Sequence, residues 1–350
     1  MSESLRFIDA FAGAGGMSLG LERAGFELAL AFDLDLCAVA TMRKNHPGRE
    51  NCIHVADINT LLDNSTLRDF GITPGAVDLV TGGPPCQGFS IQRTIGDDAD
   101  DRNDLVIRFM EFVALVKPRC FLMENVPALG GTRGKAILDK ALQYIASQGY
   151  LTDSKVLDAA DFGVPQRRRR RFILGERTDT PFMSVALPDP PKTRIRTTVR
   201  DAIGHLPEPP LDGSDHPDFP NHRRDLLSPQ NLERIAALKP GQGRQHLPDA
   251  LLAECHKRSP AEIGHRNVYG RMSWDEPSPT ITARFDSFTR GQFGHPEQDR
   301  TISLREGAVL QTFPLEYVFI GNKVEIARQI GNAVPPTLAC VIGDILRDRL

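Results

Sequence analysis

Residues 5–16 read LRFIDAFAGAGG, a short apolar run that leads directly into a glycine-rich loop. The run predicts a strand at 5–10, and apolar residues at helical spacing begin again at Met17. Glycines between a strand and a helix let a ligand approach the backbone N–H groups at the helix N-terminus. The stretch therefore predicts the first βα unit of an α/β domain, with a ligand-binding loop after its strand.

The same alternation of apolar runs and amphipathic stretches continues to about residue 160. Further candidate strands lie at 28–32, 52–55, 77–81, 120–124 and 170–174. Helical spacing predicts helices at 17–24, 36–45, 104–116 and 135–147. Strands that alternate with helices are typical of a sheet covered on both faces. We therefore predict an α/β fold with a doubly wound, mostly parallel sheet.

A second, irregular lobe is expected beyond this domain. Prolines crowd residues 181–220, so regular structure should break there. The lobe is expected to extend to about residue 299. Helical patterns return at 304–310, 323–329 and 337–347.

Composition limits the classes of function. The six cysteines form no C-x-x-C pair and the nine histidines no H-x-x-x-H pattern, so no metal site is expected. An apolar run long enough to span a bilayer and a signal-peptide pattern are both missing, so we expect a cytoplasmic protein without membrane contact. The net charge of -3 conceals a basic segment at 164–200, which is either a phosphate-binding surface or a solvated run of charges.

Acidic residues follow the predicted strands. Asp33 and Asp35 lie about 20 residues after the glycine loop, where a carboxylate typically accepts hydrogen bonds from ribose hydroxyls. Asp57 follows the third strand and could accept from an adenine amino group. These positions favour a nucleoside cofactor, and helix capping is the alternative for each of them.

The stretch GGPPCQGFS at 82–90 follows the fourth predicted strand. Two prolines fix the backbone immediately before Cys86, at the sheet edge where α/β proteins bind ligands. A buried core position is the common alternative for a cysteine. Glycine and proline flank Cys86 and no apolar periodicity surrounds it, so we predict a nucleophile.

Two further motifs carry charged side chains to the same region. Glu124, in MENV at 123–126, would lie beside Cys86 if the fourth and fifth strands are neighbours, where it could protonate or hydrogen-bond a substrate ring nitrogen. The run VPQRRRRRFIL at 164–174 could be a nuclear-targeting signal, but it continues into an apolar strand. With a period of two, Gln166, Arg168 and Arg170 share one face, which can serve the site.

In this order, and followed by RTISLREGAVLQTFP at 300–314 and QIGNAVPP at 329–336, the motifs resemble those of the bacterial DNA (cytosine-5) methyltransferases of restriction–modification systems. The resemblance covers nearly the whole chain. It implies a fold of the S-adenosylmethionine-dependent methyltransferase type with a smaller irregular lobe. Residues 1–177 would form the catalytic and cofactor-binding domain, 178–299 the target-recognition region, and 300–350 a C-terminal segment that returns to the catalytic domain.

The resemblance also implies roles for single residues. Cys86 would attack C6 of a cytosine flipped out of double-stranded DNA, with S-adenosyl-L-methionine as the methyl donor. Glu124 would contact N3 and the exocyclic amine, while Arg168 and Arg170 would hold the base carbonyl and the nearby sulfur. The cofactor pocket would comprise Phe11, Gly13, Gly15, Gly16, Asp33, Asp57, Ile58, Pro85, Leu105 and Asn332. Leu34 stands where an aromatic side chain of the family often stacks on adenine.

The resemblance implies double-stranded DNA as the partner and a possible genetic pairing with a restriction endonuclease. It also implies that the protein is a monomeric, prokaryotic enzyme. Side chains of the target-recognition region would read bases or contact phosphates. The candidates are Arg223, Arg224, Arg244, Lys257, Arg258, Arg266, Arg271, Arg284 and Arg290.

Three other functions are alternatives. A nicotinamide dehydrogenase could use a similar sheet, but the glycine spacing is G-x-G-G rather than G-x-G-x-x-G. An RNA-directed member of the superfamily would act on transfer RNA, although the long variable lobe is more typical of the DNA enzymes. A DNA-binding regulator without catalytic activity would have no evident reason to retain Cys86 and Glu124.

Overall fold

The computed structural model describes residues 4–85, 105–179, 186–191, 196–253 and 268–350. The predicted nucleophile Cys86 lies outside the described residues, as do Lys257, Arg258 and Arg266. No helix in the described part of the chain is long and apolar enough to cross a membrane.

A seven-stranded sheet forms the centre of the fold. Its strands are β1 (Arg6–Ala10), β2 (Glu27–Asp33), β3 (Ile53–Val55), β4 (Leu79–Gly82), β5 (Cys120–Asn125), β6 (Tyr150–Asp158) and β7 (Arg169–Arg177). The spatial order is β3-β2-β1-β4-β5-β7-β6. Strands β1 to β5 pair in parallel, and β7 is antiparallel to both of its neighbours. The predicted mostly parallel, doubly wound sheet is therefore confirmed.

Ten α-helices accompany this sheet among the described residues. They are α1 (Gly16–Arg23), α2 (Leu36–Asn45), α3 (Asn64–Asp69), α4 (Leu105–Val116), α5 (Lys135–Ser147), α6 (Val199–Ile203), α7 (Pro229–Ala236), α8 (Leu304–Leu310), α9 (Lys323–Asn332) and α10 (Pro336–Arg347). The helices predicted from periodicity agree with these bounds to within a few residues. The prediction missed α3 and α6, which are short, and α7.

The chain divides into two compact units. The first comprises Met1–Asp158, Arg169–Thr193 and Val334–Leu350. The second comprises Ala159–Arg168 and Arg194–Ala333. Residues 300–333 thus belong to the same unit as the expected recognition region, and only the last 17 residues, which include α10, belong to the unit with the sheet.

The C-terminal helix α10 is an integral part of the first unit. It packs on α1 so closely that a Cβ atom at Gly20 would lie 2.4 Å from the Ala339 Cβ and the Pro336 carbonyl oxygen. Arg347 also donates to the carbonyl oxygen of Ala24. A side chain at position 20 would therefore force the two helices apart.

The second unit is held by buried polar groups as much as by apolar packing. Arg300 makes two hydrogen bonds of 2.7 Å to Glu306, and both side chains are almost fully buried. Burial alone would raise the pKa of the Glu306 carboxyl, but the charge and the hydrogen bonds of Arg300 lower it to about 2. His222 contacts Ser303, the N-cap of α8, at 2.7 Å. The unit is irregular, as its prolines predict.

Candidate functional site

The candidate site lies at the carboxyl ends of β1 and β4, which are neighbours in the sheet. The chain continues from β1 to β2 and β3 on one side, whereas β5 lies on the other side of β4. A crevice forms where the strand order reverses in this way, and open α/β sheets bind ligands there. The glycine loop follows β1 and the Gly-Gly-Pro-Pro segment follows β4, so both predicted motifs meet at this point.

The glycine loop has an unusual backbone. Phe11, Gly13 and Gly15 all have positive φ angles, of 58°, 55° and 80°. Glycine tolerates this conformation, whereas for phenylalanine it is strained. A Cβ atom built on Gly13 would meet nothing within 4 Å, so this side of the loop faces open space. Gly16 is the first residue of α1.

Asp33 fastens this loop to the end of β2. Its Oδ2 accepts a 2.8 Å hydrogen bond from Gly13 N, and its Oδ1 accepts one of 2.8 Å from Asp35 N. Burial raises the pKa of the Asp33 carboxyl above its ordinary value, although these hydrogen bonds act in the opposite direction. Asp35 instead caps α2 by accepting from the backbone of Cys37 and Ala38. The capping alternative therefore holds for Asp35 and not for Asp33.

Asp57 and Ile58 follow β3. Asp57 Oδ1 accepts from the backbone and side-chain nitrogens of Asn59, both at 3.0 Å, and so caps a short 3-10 helix. Among the described residues, none donates to Oδ2. Ile58 is buried in the hydrophobic core, so any contact with a cofactor would come from its backbone.

Exposed apolar side chains surround these strand ends. Leu34 is 64% exposed, Leu36 is 70% exposed and Val55 is 42% exposed. Pro85 is exposed as well, and Leu105 at the start of α4 is half-buried. The sequence analysis missed Leu36 and Val55, although their positions directly after β2 and at the end of β3 were a signal. Large apolar side chains exposed at a ligand edge fit a flat, weakly polar ring.

A buried acid lies under the loop and was also missed. Asp9 in β1 is 1% exposed and accepts a 2.5 Å hydrogen bond from Ser18 Oγ in α1. Burial raises the pKa of Asp9 to about 7. A strand buried on both faces is expected to be a continuous apolar run, so a carboxyl at this position was the available signal.

Glu124 and Arg170 form an ion pair at the other end of the crevice. The Arg170 Nε lies 3.0 Å from Glu124 Oε1, and both side chains are largely buried. Because β4 and β5 are neighbours, Glu124 lies beside the segment that leads to Cys86. A Cβ atom at Gly83 would be 3.4 Å from Glu124 Oε2, and Asn125 Nδ2 donates to the carbonyl oxygen of Pro84 at 3.0 Å.

Gly82 keeps this segment close to the glycine loop. A Cβ atom there would lie 2.6 Å from the Ala10 carbonyl oxygen and 2.7 Å from the Phe109 ring. No larger residue fits without moving backbone. The end of β4 thus holds the backbone before Cys86 in a fixed position.

Arg168 has surroundings different from those predicted. It is 1% exposed, and its Nη1 donates to the carbonyl oxygens of Ile281 at 3.1 Å and Gly331 at 3.0 Å. A contact of 3.5 Å joins its Nη2 to the carbonyl oxygen of Asn332. Because β7 begins only at Arg169, the period of two does not extend to Arg168. These three carbonyl oxygens belong to the second unit, and the prediction that Arg168 and Arg170 share one strand face is wrong.

Gln166 has a structural role of the same kind. Its Nε2 donates to Gln311 Oε1 at 2.9 Å, and its Oε1 accepts from Ile281 N at 2.9 Å. Asn332 ends α9 in this second unit. Its contribution to a cofactor pocket stays a prediction.

Arg271 is removed from the candidates for base contact. It is 4% exposed, and its guanidinium donates to the carbonyl oxygens of Ile235, Leu238, His295 and Gln298. It also pairs with Asp299. Four of its five N–H groups already donate to protein acceptors among the described residues, so this guanidinium stabilises the second unit.

In the described part of the chain, no three His, Cys, Asp or Glu side chains are grouped so that they could hold a metal ion.

Comparisons with known proteins agree with this geometry. The family model described as C-5 cytosine-specific DNA methylase matches residues 5–347. The chain is 38% identical over 343 residues to the Type II methyltransferase M1.HphI of Haemophilus parahaemolyticus, covering 97% of this chain and 86% of that protein. It is 32% identical to the Type II methyltransferase M.AgeI of Thalassovita gelatinovora, with 98% and 99% covered.

Solved structures show the same fold. A putative DNA modification methyltransferase encoded within a prophage of E. coli has a TM-score of 0.76 at 28% identity, and 99% of each chain is covered. The S. pombe Dnmt2 methyltransferase has a TM-score of 0.60 at 17% identity, which is a likeness of fold alone.

Proposed function

Because the chain belongs to the family of C-5 cytosine-specific DNA methylases, we propose that it transfers a methyl group to C5 of a cytosine flipped out of a specific sequence in duplex DNA. Membership makes it a DNA (cytosine-5)-methyltransferase, and the methyltransferase fold implies the use of S-adenosylmethionine. The observation that carries the finer proposal is the Glu124–Arg170 pair beside the segment that leads to Cys86.

The residues at the carboxyl ends of β1 to β3 fit S-adenosylmethionine. Gly13 leaves open space above the loop, and both oxygens of Asp33 retain lone pairs that could accept from ribose hydroxyls. The free Oδ2 of Asp57 would accept from the adenine amino group. The exposed side chains of Leu34, Leu36 and Val55 would cover the adenine ring. When bound, the cofactor supplies an electrophilic methyl group on a sulfonium.

Five further residues belong to the proposed cofactor pocket. Phe11, Pro85 and Leu105 would line the pocket, and Ile58 would contribute its backbone. The Asn332 contact remains part of the proposal. We assign the base contact to Arg170 and not to Arg168, because Nη1 and Nη2 of Arg168 contact carbonyl oxygens.

Cys86 would begin the reaction as a thiolate that bonds to C6 of the cytosine. The electron pair of the C5–C6 double bond then makes C5 nucleophilic, and C5 takes the methyl group. Loss of the C5 proton to a base and release of the Cys86 sulfur restore the double bond. A covalent intermediate of this kind divides one difficult step into easier ones.

Glu124 and Arg170 would hold the base during these steps. Attack at C6 places negative charge on the ring, and a group that hydrogen-bonds or protonates N3 stabilises that charge. Glu124 would contact N3 and the exocyclic amine. Arg170, whose Nε lies beside Glu124 Oε1, would contact the carbonyl of the base and fix the carboxylate in position.

The biological setting follows the relatives that are named Type II methyltransferases. The enzyme would act in the cytoplasm of a prokaryote as a monomer, since one flipped base needs one active site. It would protect DNA from a restriction endonuclease of the same specificity.

The test is incubation of the purified chain with labelled S-adenosylmethionine and unmodified genomic DNA, followed by base-resolution mapping of 5-methylcytosine. Methylation at one short motif, lost in Cys86→Ser, is the expected result. Cys52→Ser is the control, because Cys52 lies next to β3 and outside the site. Methylation of transfer RNA without methylation of DNA would overturn the proposal, as would binding of NAD in place of the cofactor.

A further inference from the structure

We propose that a cleft in the second unit binds a phosphodiester of the DNA backbone through Arg223. The cleft opens to solvent. Its lining comprises Arg223, Arg224, Asp225, Asp286, Ile302, Ser303, Leu304 and Lys323. The inference rests on the proposed function and selects one of the many arginines that could contact DNA.

One positive charge in the cleft is not balanced by an acidic side chain. Lys323 forms an ion pair with Asp225, while Asp286 pairs with Arg284 at 3.0 Å and lies 3.7 Å from Lys323. Arg224 pairs with Glu208 at 3.0 Å. Arg223 has no ionic or hydrogen-bonding partner among the residues that the structure describes. The uncompensated positive charge of the cleft is therefore that of its guanidinium.

The backbone that carries Arg223 is firmly held. The side chain of Asn221 donates to the carbonyl oxygen of Phe319 and accepts from Phe319 N, at 3.2 and 3.0 Å. His222 is fully buried between Ser303 and the carbonyl oxygen of Pro207. Arg305 donates to the carbonyl oxygen of Pro220 at 2.8 Å. Because this backbone is held before a ligand arrives, binding by the Arg223 guanidinium costs no further ordering of the main chain.

A phosphodiester fits this arrangement better than a base edge does. It is a single anion that a guanidinium can bind through two parallel hydrogen bonds. Lys323 and Arg224 line the same cleft, and their N–H groups can donate further hydrogen bonds to the phosphate oxygens. Contacts of this kind position DNA and carry no sequence information.

The test measures binding of the full chain to a labelled duplex containing its methylation sequence, by fluorescence anisotropy over a range of KCl concentrations. Each phosphate contact contributes about 0.9 to the slope of log affinity against log salt. Arg223→Gln should lower the slope by about one and weaken binding roughly tenfold, equally for unrelated sequences. Arg223→Lys should keep most of the slope, and melting curves establish that both variants fold.

Arg68→Gln is the matched control, because it removes the same charge from an exposed arginine. Arg68 is in the last turn of α3, which returns the chain to the amino ends of the strands, away from the site. An unchanged slope in Arg223→Gln, or an equal change in Arg68→Gln, overturns the inference. Inorganic phosphate, titrated at constant ionic strength, should bind weakly. If phosphate instead binds tightly, and Arg223→Gln abolishes this binding without changing the affinity for DNA, the cleft is a site for free phosphate. Absence of DNA binding in the wild-type chain would instead contradict the proposed function.

Discussion

Arg170 Nε lies 3.0 Å from Glu124 Oε1, in a pair whose side chains are 19% and 10% exposed. The two residues come from antiparallel neighbours, β7 and β5, and meet beside the backbone that leads to Cys86. The pair therefore holds the Glu124 carboxyl in a fixed position beside that backbone.

We expect Glu124→Gln to lower the single-turnover rate of methylation by about 10²-fold or more, because an amide cannot supply the charge or the proton that N3 requires. Binding of the cofactor should remain unchanged. Glu111→Gln is the control, since Glu111 pairs with Arg108 on the surface of α4. A Glu124→Gln enzyme with the wild-type rate would exclude Glu124 from the chemistry.

Substitution of Arg168 should mainly lower stability, whereas substitution of Arg170 should mainly lower the methylation rate. Arg168→Gln removes buried hydrogen bonds to Ile281 and Gly331 and should lower the free energy of unfolding by about 3 kcal/mol. Arg170→Gln should lower the methylation rate by about 10²-fold and reduce stability less.

Chemical denaturation and single-turnover kinetics on both variants check this prediction. The contrary result is an Arg168→Gln enzyme of normal stability that has lost activity. Such an enzyme would restore the base-contacting role that its buried contacts argue against.

The positions of the strands and the ligand edge at their carboxyl ends could be predicted because they depend on local patterns. The apolar strands β1, β2, β4 and β5 are buried on both faces, so continuous apolar runs revealed them. The edge strand β6 was missed, since its residues are mostly polar and it pairs with β7 alone. Its pairing, and not its composition, makes it a strand.

The surroundings of single side chains were less predictable. Arg168 and Arg170 are two residues apart, yet Arg168 precedes β7 and binds carbonyl oxygens more than 110 residues away in the chain. A repeat of identical arginines contains no signal that separates them. Arg271 was equally hidden, because the carbonyl oxygens that surround it come from two separate segments, 235–238 and 295–298.

Asp33 should matter for the cofactor more than its neighbour Asp35. Asp33→Ala removes both the predicted ribose acceptor and the hydrogen bond to Gly13 N, so we expect the Kd for S-adenosylmethionine to rise by about tenfold or more. Asp35→Ala removes a helix cap and should cost about 1 kcal/mol of stability with little effect on the cofactor. Calorimetric titration and thermal melting separate the two effects. Equal losses of affinity in both variants would mean that the cofactor does not contact Asp33.

Asp9 should make the stability of the protein depend on pH. Burial raises the pKa of its carboxyl from 3.8 to about 7, so the folded state holds a proton that the unfolded state has already released. The contribution of Asp9 to the free energy of unfolding is therefore most favourable below about pH 4, and it is lost as the pH rises to about 7. Asp33 and the His46–Glu22 pair also contribute charge near Asp9, and the Ser18 hydroxyl donates to it. Between pH 5 and pH 8 the loss should be on the order of 2 kcal/mol.

Asp9→Asn removes the titrating group and keeps an acceptor for Ser18. Its free energy of unfolding, measured with urea at pH 5, 6.5 and 8, should fall less steeply with pH than that of the wild-type chain. Asp78→Asn is the comparison, because Asp78 precedes β4 and pairs with Arg119 at a more exposed position. Parallel pH profiles for the wild type and Asp9→Asn would mean that Asp9 is ionised throughout this range, and the buried carboxylate would then need a charged partner that its contacts do not show.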